Sequence, residues 1–107
     1  MEEKRQHPRY RISFPVRIDG PEKNDRVGVS FDVSACGMLL STRSQFIVGQ
    51  PLELTFRVGR DGDEQRVRGR VVRLTESWEH FFPRRVAVAF EAALDDIDSQ
   101  LRRQTTN

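Results

Sequence analysis

The residues best suited to ligand recognition lie together in the hexapeptide Asp32-Val33-Ser34-Ala35-Cys36-Gly37, which reads D-x-S-x-x-G. Asp and Ser side chains readily form hydrogen bonds with nearby backbone, and glycine tolerates a left-handed conformation or the close approach of another group. Residues of these types usually shape a turn. The hexapeptide therefore predicts a turn between two strands, and by itself it leaves open both a structural and a ligand-binding role.

Arginine is the second residue type with a specific chemistry in this chain. Lys4 and Lys23 are the only lysines among the 18 basic residues, and the others are arginines. The planar guanidinium pairs in bidentate fashion with phosphate and with guanine edges, and it stacks on flat rings. A coding bias towards GC-rich codons would produce the same excess. The formal net charge of +2 is too small to indicate general nucleic-acid binding.

The sequence does not predict an enzyme. Cys36 is the only cysteine, and His7 and His80 are far apart and lack the spacing of metal ligands. A catalytic nucleophile needs a neighbouring base, which the sequence does not indicate. The acidic segment 95–98 lacks the glycine and the oxygen ligands of a calcium loop, so we interpret it as a solvated helical turn. We expect no catalytic residue, no metal site and no cofactor.

Cysteine content and hydropathy predict the cellular location. A single cysteine excludes an intramolecular disulfide and fits a reducing cytosol. Residues 1–6 are polar and charged, without the apolar segment of a secretory signal, and no apolar run approaches the length of a membrane span. We therefore expect a cytoplasmic protein, or one module of a larger protein, that does not contact the membrane.

Six short segments are predicted to be strands. Apolar and polar residues alternate in five of them, which is the pattern of half-buried strands, and residues 38–42 return after the hexapeptide turn to complete a hairpin. Pro15 cannot donate a hydrogen bond to a ladder, so it indicates an edge or a bulge in the first strand. In the fifth segment the alternation changes phase before Arg73. The predicted strands cover residues 12–18, 27–33, 38–42, 52–58, 65–74 and 86–90.

The last segment has a helical period. Leu94, Ile97 and Leu101 recur at helical spacing, and the charges change from acidic to basic along the segment, as the helix dipole favours. Six strands followed by one helix most simply form a small antiparallel barrel, which leaves few exposed edges. The predicted fold class is all-β with a terminal helix, and we expect the apolar face of the helix to cover the barrel.

Three regions make up the predicted domain organisation. They are a charged, flexible N-terminal arm over residues 1–11, a barrel over 12–90, and a C-terminal helix and tail over 91–107. By itself the arm is typical of a frayed terminus. A loop between the last two strands carries Trp78, Phe81 and Phe82, and we expect its aromatic rings to fold over one end of the barrel rather than to stack on bases.

Four motifs in order resemble the PilZ domain, the bacterial receptor module for cyclic di-GMP. Arg5-Gln6-His7-Pro8-Arg9 reads R-x-x-x-R ahead of the first strand, and the D-x-S-x-x-G hexapeptide follows. Gly69-Arg70-Val71-Val72-Arg73 is similar to the G-x-V-x-R strand of that family. Val86-Ala87-Val88-Ala89-Phe90 resembles its closing strand, although Ala87 stands where glycine is common. The resemblance covers nearly the whole chain and implies a six-stranded antiparallel PilZ-type β-barrel.

The resemblance also implies a ligand site. Arg5 and Arg9 would grip guanine and phosphate from the arm, and Asp32 would accept hydrogen bonds from the Watson–Crick edge of guanine. Ser34 would contribute a hydroxyl or backbone contact, and Gly37 would leave room for the flat ligand. Arginine suits this task because guanine presents the O6/N7 acceptor pair and the dinucleotide carries two phosphodiester charges.

Two secondary positions follow from the same resemblance. Lys4 stands where the family often has another arginine and would add positive charge towards phosphate. Arg73 matches a position that stacks on a base in some relatives. On this basis the number of dinucleotides bound, one or a stacked pair, would depend on Lys4 and on the geometry of the arm.

The sequence therefore favours a cyclic di-GMP receptor that signals through a downstream protein partner by ordering its arm. One alternative is an adaptor of the same fold that binds no nucleotide and acts through protein–protein contacts, although such relatives typically lack the arginine pair or the hexapeptide residues. Another is a small barrel that binds single-stranded nucleic acid, which the near-neutral charge argues against. Cyclic di-GMP is thus the expected ligand.

Overall fold

A computed structural model describes residues 8–76, 82–94 and 96–105 of the chain. Its elements are β1 (Tyr10–Arg11), β2 (Pro15–Asp19), β3 (Arg26–Ser34), β4 (Gly37–Thr42), β5 (Pro51–Arg57), β6 (Glu64–Glu76), β7 (Arg84–Phe90) and α1 (Ile97–Thr105). The six predicted strands correspond to β2–β7, and the two-residue β1 adds to them. Trp78 and Phe81 of the predicted aromatic loop lie outside the described residues.

The six long strands close into one antiparallel barrel. Strand β2 pairs with β3 and β5, β6 lies between β5 and β7, and β4 joins β7 back to β3. Strand β1 pairs with the far end of β3, where Tyr10 opposes Val33 and Arg11 opposes Asp32. Closure gives every long strand two neighbours, which satisfies its backbone hydrogen bonds. The predicted six-stranded barrel with a terminal helix is confirmed.

Alternating side chains from the strands fill the barrel, as the period-two pattern predicts. Ile18, Leu40 and Leu54 are fully buried, and the rings of Phe14 and Phe56 stack with their centroids 5.2 Å apart. Pro15 is the first residue of β2, so its missing N–H interrupts no ladder beyond that point. The packed interior is what holds the outer face of the barrel in a fixed geometry.

Before its bulge, strand β3 buries a different face from the one that its apolar residues indicate, whereas Val33 after the bulge is buried as the alternation predicts. Val27 is 57% exposed and Phe31 is partly exposed, whereas Gly28 and Ser30 face the interior. A Cβ at Gly28 would lie 2.7 Å from the Ser41 carbonyl oxygen, so the interior has no room for a side chain there. The Ser30 hydroxyl is satisfied by hydrogen bonds to backbone, which makes its burial inexpensive.

The C-terminal helix begins later than the helical period predicts. The backbone before it is used by the barrel, because the Glu91 amide donates to Arg68 O at 2.9 Å and the Leu94 amide donates to Ala35 O at 2.9 Å. Ile97 and Leu101 are buried, and α1 packs against β1 and β3. The prediction that the apolar face of the helix covers the barrel is confirmed. Within the described ranges, no helix is long and apolar enough to cross a membrane.

Candidate ligand-binding site

One row of outward-facing residues crosses four neighbouring strands of the barrel. The strand registers place Asp32 of β3 opposite Leu39 of β4, Leu39 opposite Ala87 of β7, and Ala87 opposite Arg73 of β6. Adjacent strands are about 4.8 Å apart, so the row extends over roughly 14 Å measured along the curved sheet. An acidic and a basic side chain thus flank a floor made of two apolar residues.

A β-bulge stands beside each end of this row. Phe31 is the extra residue between the pairs Ser30–Leu40 and Asp32–Leu39, and Val72 is the extra residue between Val71–Val88 and Arg73–Ala87. An extra residue shifts the alternation by one position, so the residue after each bulge also faces outwards. The bulges therefore direct the side chains of Asp32 and Arg73 to the same outer surface.

Arg9 lies against the acidic end of the row. Its Nη1 atom is 3.4 Å from Oδ1 of Asp32, and the Arg9 side chain is 50% exposed whereas that of Asp32 is 18% exposed. Strand β1, which begins at Tyr10, holds the backbone beside Asp32 and so brings Arg9 into reach. A long contact between a half-exposed arginine and a carboxylate contributes little stability in water, and both groups keep donors or acceptors available for a ligand.

The turn of the hexapeptide is shorter than predicted. Strand β3 continues through Ser34 and β4 begins at Gly37, so only Ala35 and Cys36 connect the two strands. The Cys36 amide donates to Ser34 Oγ at 3.1 Å, which is a hydroxyl-stabilised turn. Because the Leu94 amide donates to Ala35 O, the same turn is attached to the segment that leads into α1.

Gly37 is required by the packing of the barrel itself. It pairs with Ala89 of β7, and a Cβ at this position would lie 2.6 Å from the backbone oxygen of Val88. This distance is too short for a real contact, and a backbone oxygen cannot rotate out of the way. The glycine therefore permits close approach of two strands, whether or not it also leaves room for a ligand.

These residues line one shallow pocket of about 160 Å³. Its lining includes five residues that the sequence indicated, which are Arg9, Asp32, Ser34, Gly37 and Arg73. The other two indicated residues, Lys4 and Arg5, lie outside the described part of the chain. Leu39 and Ala87 were not indicated by the sequence: Leu39 lies in the unbroken apolar run from Met38 to Leu40, where alternation cannot assign a face.

Larger cavities lie elsewhere, of about 540 Å³ beside Phe46 and Leu74, about 1010 Å³ beside Phe14 and Phe56, and about 480 Å³ beside Leu52 and Arg68. The cavity beside Phe14 and Phe56 also contains arginine–carboxylate pairs, Arg17 with Asp25 and Arg57 with Glu64. None of these cavities, however, is lined by a described residue of the R-x-x-x-R or D-x-S-x-x-G motif. Among the described residues, no group of histidine, cysteine and acidic side chains could hold a metal ion. The pocket across β3, β4, β7 and β6 is therefore the candidate site, and its chemistry suits a flat, anionic ligand.

Comparison with known families and structures agrees with this architecture. The PilZ domain profile matches residues 3–107. Comparison with curated protein sequences found no match. Solved structures similar to the chain include the Bacillus subtilis inhibitor of motility MotI/DgrA, with a TM-score of 0.75 and 18% identity over 96% of this chain. This chain spans 50% of the length of that protein.

Two further solved structures cover most of both chains. One is the PilZ domain with c-di-GMP of YcgR from Escherichia coli, with a TM-score of 0.72 and 13% identity over 96% of this chain and 89% of the other. The other is the PilZ domain of CeSA from a cellulose-synthesizing bacterium, with a TM-score of 0.59 and 17% identity over 92% and 94% of the two chains. At these identities the likeness is one of fold.

Proposed function

The chain belongs to the PilZ domain family, a family of non-catalytic receptor modules, and we propose that it is a receptor for cyclic di-GMP. The observation that carries the proposal is the convergence of Arg9, Asp32 and Arg73 on one pocket with an apolar floor. Two of the three structural relatives are described as a motility inhibitor and as a domain with c-di-GMP. Cyclic di-GMP has the two chemical parts that this pocket suits, which are flat guanines for the apolar floor and phosphates for the arginines.

The roles of the residues follow from donor and acceptor chemistry. A carboxylate accepts hydrogen bonds, so Asp32 suits the N1–H and N2–H donors of the guanine Watson–Crick edge. Arg9 lies beside that carboxylate and offers several N–H donors to phosphate or to O6 and N7. At the opposite end of the row, Arg73 would stack on or pair with the second half of the ligand. Leu39 and Ala87 present a low apolar surface on which a base can lie.

The pocket on the described barrel is smaller than a complete site for such a ligand. Pockets for small molecules usually measure about 300–1,000 Å³, whereas this one measures about 160 Å³. We propose that the arm supplies the remaining wall of the site. Arg5 would contact guanine or phosphate of the bound ligand together with Arg9, and Lys4 would add positive charge towards phosphate. Ligand binding would then order the arm across the barrel.

The proposed output passes through the base of the arm. Strand β1 lies on β3 next to Asp32, and α1 packs against both strands. The connecting turn is hydrogen-bonded to Leu94, three residues before α1 begins. A ligand that repositions the arm or the turn would therefore act directly on the surface that β1 and α1 offer to a downstream protein.

Calorimetric titration with cyclic di-GMP tests the proposal, with GTP as the control ligand. We expect saturable binding by the wild-type chain, and weakening by about 10- to 100-fold in Arg9→Ala and in Asp32→Ala, because a hydrogen bond to a charged group contributes about 1.5–3 kcal/mol. Arg26→Ala is the matched control, since Arg26 is exposed at the other end of β3 and should not alter affinity. Tryptic cleavage after Arg5 and Arg9 should slow at saturating ligand.

The proposal would be wrong if a folded wild-type chain gave no binding heat at high protein concentration. It would also be wrong if Arg26→Ala weakened binding as much as Arg9→Ala does, because binding would then depend on overall charge. The first result would favour the adaptor, which acts through protein contacts without a nucleotide. The search would then move to a protein partner of the same surface.

A further inference from the structure

Two arginines lie on one aromatic ring next to the candidate site. The Cζ atom of Arg11 is 4.6 Å from the centroid of the Phe31 ring, and that of Arg85 is 4.1 Å from the same centroid. Phe31 is the extra residue of the β3 bulge, which places its ring on the outer face of the barrel. Both guanidinium groups are therefore held at the same ring, each by a cation–π contact.

This pair carries positive charge that the described residues do not balance. Neither Arg11 nor Arg85 takes part in any ion pair found within the described ranges, whereas the neighbouring Arg9 is paired with Asp32. The Nε atom of Arg85 is buried and has no hydrogen-bond partner there. Two like charges held at one ring repel each other, and a buried donor without a partner costs free energy. An anion would relieve both costs.

Each arginine of the pair lies close in the sheet to a residue that lines the pocket. Arg11 opposes Asp32 in the β1–β3 ladder. Arg85 precedes Ala87 by two residues on β7, so both side chains lie on the same outer face. A ligand that contacts Asp32 and lies on the floor at Ala87 could therefore extend one of its charged groups to Arg11 and Arg85.

We propose that Arg11 and Arg85, positioned by Phe31, form a phosphate-binding site that extends the pocket along β7. Guanidinium groups bind phosphate through paired N–H donors, and two such groups can share one phosphate. For the identity of its ligand the inference rests on the proposed function. The phosphate belongs either to the dinucleotide in the pocket or to a second molecule of it, and the fitted stoichiometry distinguishes the two sources.

The first test is calorimetric titration of cyclic di-GMP into Arg85→Gln, Arg85→Lys and Arg84→Gln. Arg84 is the matched control because it is adjacent in β7 but donates to Arg43 O, away from the pocket. We expect Arg85→Gln to weaken binding about tenfold or more. Arg85→Lys should recover part of the affinity, since it keeps the charge and loses the planar fork. Arg84→Gln should bind as the wild type does.

The second test does not require the dinucleotide. Arginine Nε–Hε signals of the ¹⁵N-labelled wild-type chain are followed while inorganic phosphate is added. We expect a saturable shift of the Arg85 signal that is absent for Arg84, and its loss in Phe31→Leu if the ring positions the pair. Thermal unfolding of each variant confirms that it is folded before its binding is interpreted.

The outcomes separate the two proposals. Binding of cyclic di-GMP that depends on Asp32 but is equal in Arg85→Gln and Arg84→Gln, without a selective phosphate shift, would overturn the phosphate site and leave the receptor intact. A selective phosphate shift in a chain that does not bind cyclic di-GMP would keep the phosphate site and refute the receptor. Equal shifts of the Arg84 and Arg85 signals would mean general charge screening and would also overturn the site.

Discussion

Replacing Gly37 by alanine should destabilise the barrel, because the added methyl group meets backbone. The Cβ would lie 2.6 Å from the Val88 carbonyl oxygen, and the neighbouring Phe90 amide donates to Cys36 O at 2.8 Å. Relieving the clash requires β4 and β7 to move apart at the Gly37–Ala89 pair. The substitution therefore strains hydrogen bonds of the barrel, in addition to any effect on a ligand.

The size of the effect follows from two opposing contributions. Overpacking a closely packed site costs about 1–3 kcal/mol. Replacing glycine by alanine also restricts the unfolded chain, which returns roughly 0.4–1 kcal/mol to the folded state. We therefore expect the free energy of unfolding to fall by about 1–2 kcal/mol. For a domain of this size each kcal/mol lowers the melting temperature by about 4–8 °C.

Urea and thermal unfolding of the wild type, Gly37→Ala and Gly20→Ala measure this effect. Gly20 is the control because a Cβ there would lie closest to the ends of the Leu52 and Gln50 side chains, at 3.2 and 3.3 Å, which can move. The nearest backbone atom, Lys23 O, would be at an ordinary contact distance of 3.8 Å. We expect Gly20→Ala to lie within about 0.5 kcal/mol of the wild type. Wild-type stability in Gly37→Ala together with lost affinity for cyclic di-GMP would refute the packing argument and assign the glycine to the ligand.

Two further predictions concern polar groups that hold the barrel. Ser30→Ala should lower the free energy of unfolding by about 1–3 kcal/mol in urea titrations, because the buried hydroxyl accepts from the Phe14 amide at 2.9 Å and donates to Ile12 O at 2.6 Å. If Ser30→Thr lost this stability and Ser30→Ala did not, the role of Ser30 would be steric rather than hydrogen-bonding. The Asp25 amide donates to the carboxylate of Asp19 and lowers its pKa, so this group stabilises the fold above its unfolded pKa and loses that contribution as the pH falls below about 4. In Asp19→Asn the free energy of unfolding should therefore fall less steeply than in the wild type as the pH drops below about 4. The same dependence on pH in both proteins would contradict this.

Period-two alternation was enough to predict most of the barrel, because each strand must bury one face. It predicted β2 and β5–β7, whereas β4 was predicted from the chain's return after the hexapeptide turn. In β3 it placed Val33 correctly in the interior but failed before the bulge. There the interior position opposite β4 is too crowded for a side chain at Gly28, and a hydrogen-bonded Ser30 replaces an apolar residue. Helical spacing likewise predicted the buried Ile97 and Leu101 but not the first residue of α1, because the backbone before the helix is hydrogen-bonded to the barrel through Glu91 and Leu94.

The site was predictable only in its residue types. Asp32, Ser34 and Gly37 were indicated by their motif, and the change of phase before Arg73 was visible in the sequence. Which side chains share a surface depends on strand register, and register depends on contacts between residues far apart in sequence. No pattern within either strand indicates that Leu39 of β4 pairs with Ala87 of β7.

By itself, then, the amino-acid sequence determined the six long strands of the barrel, the terminal helix and the residue types of the candidate site. Only the tertiary structure decided that two bulges direct Asp32 and Arg73 to one face, and that Arg11 and Arg85 both contact the ring of Phe31. The physical reason is that alternation is a property of one strand, whereas a binding surface is formed by the registers of several strands closed into a barrel.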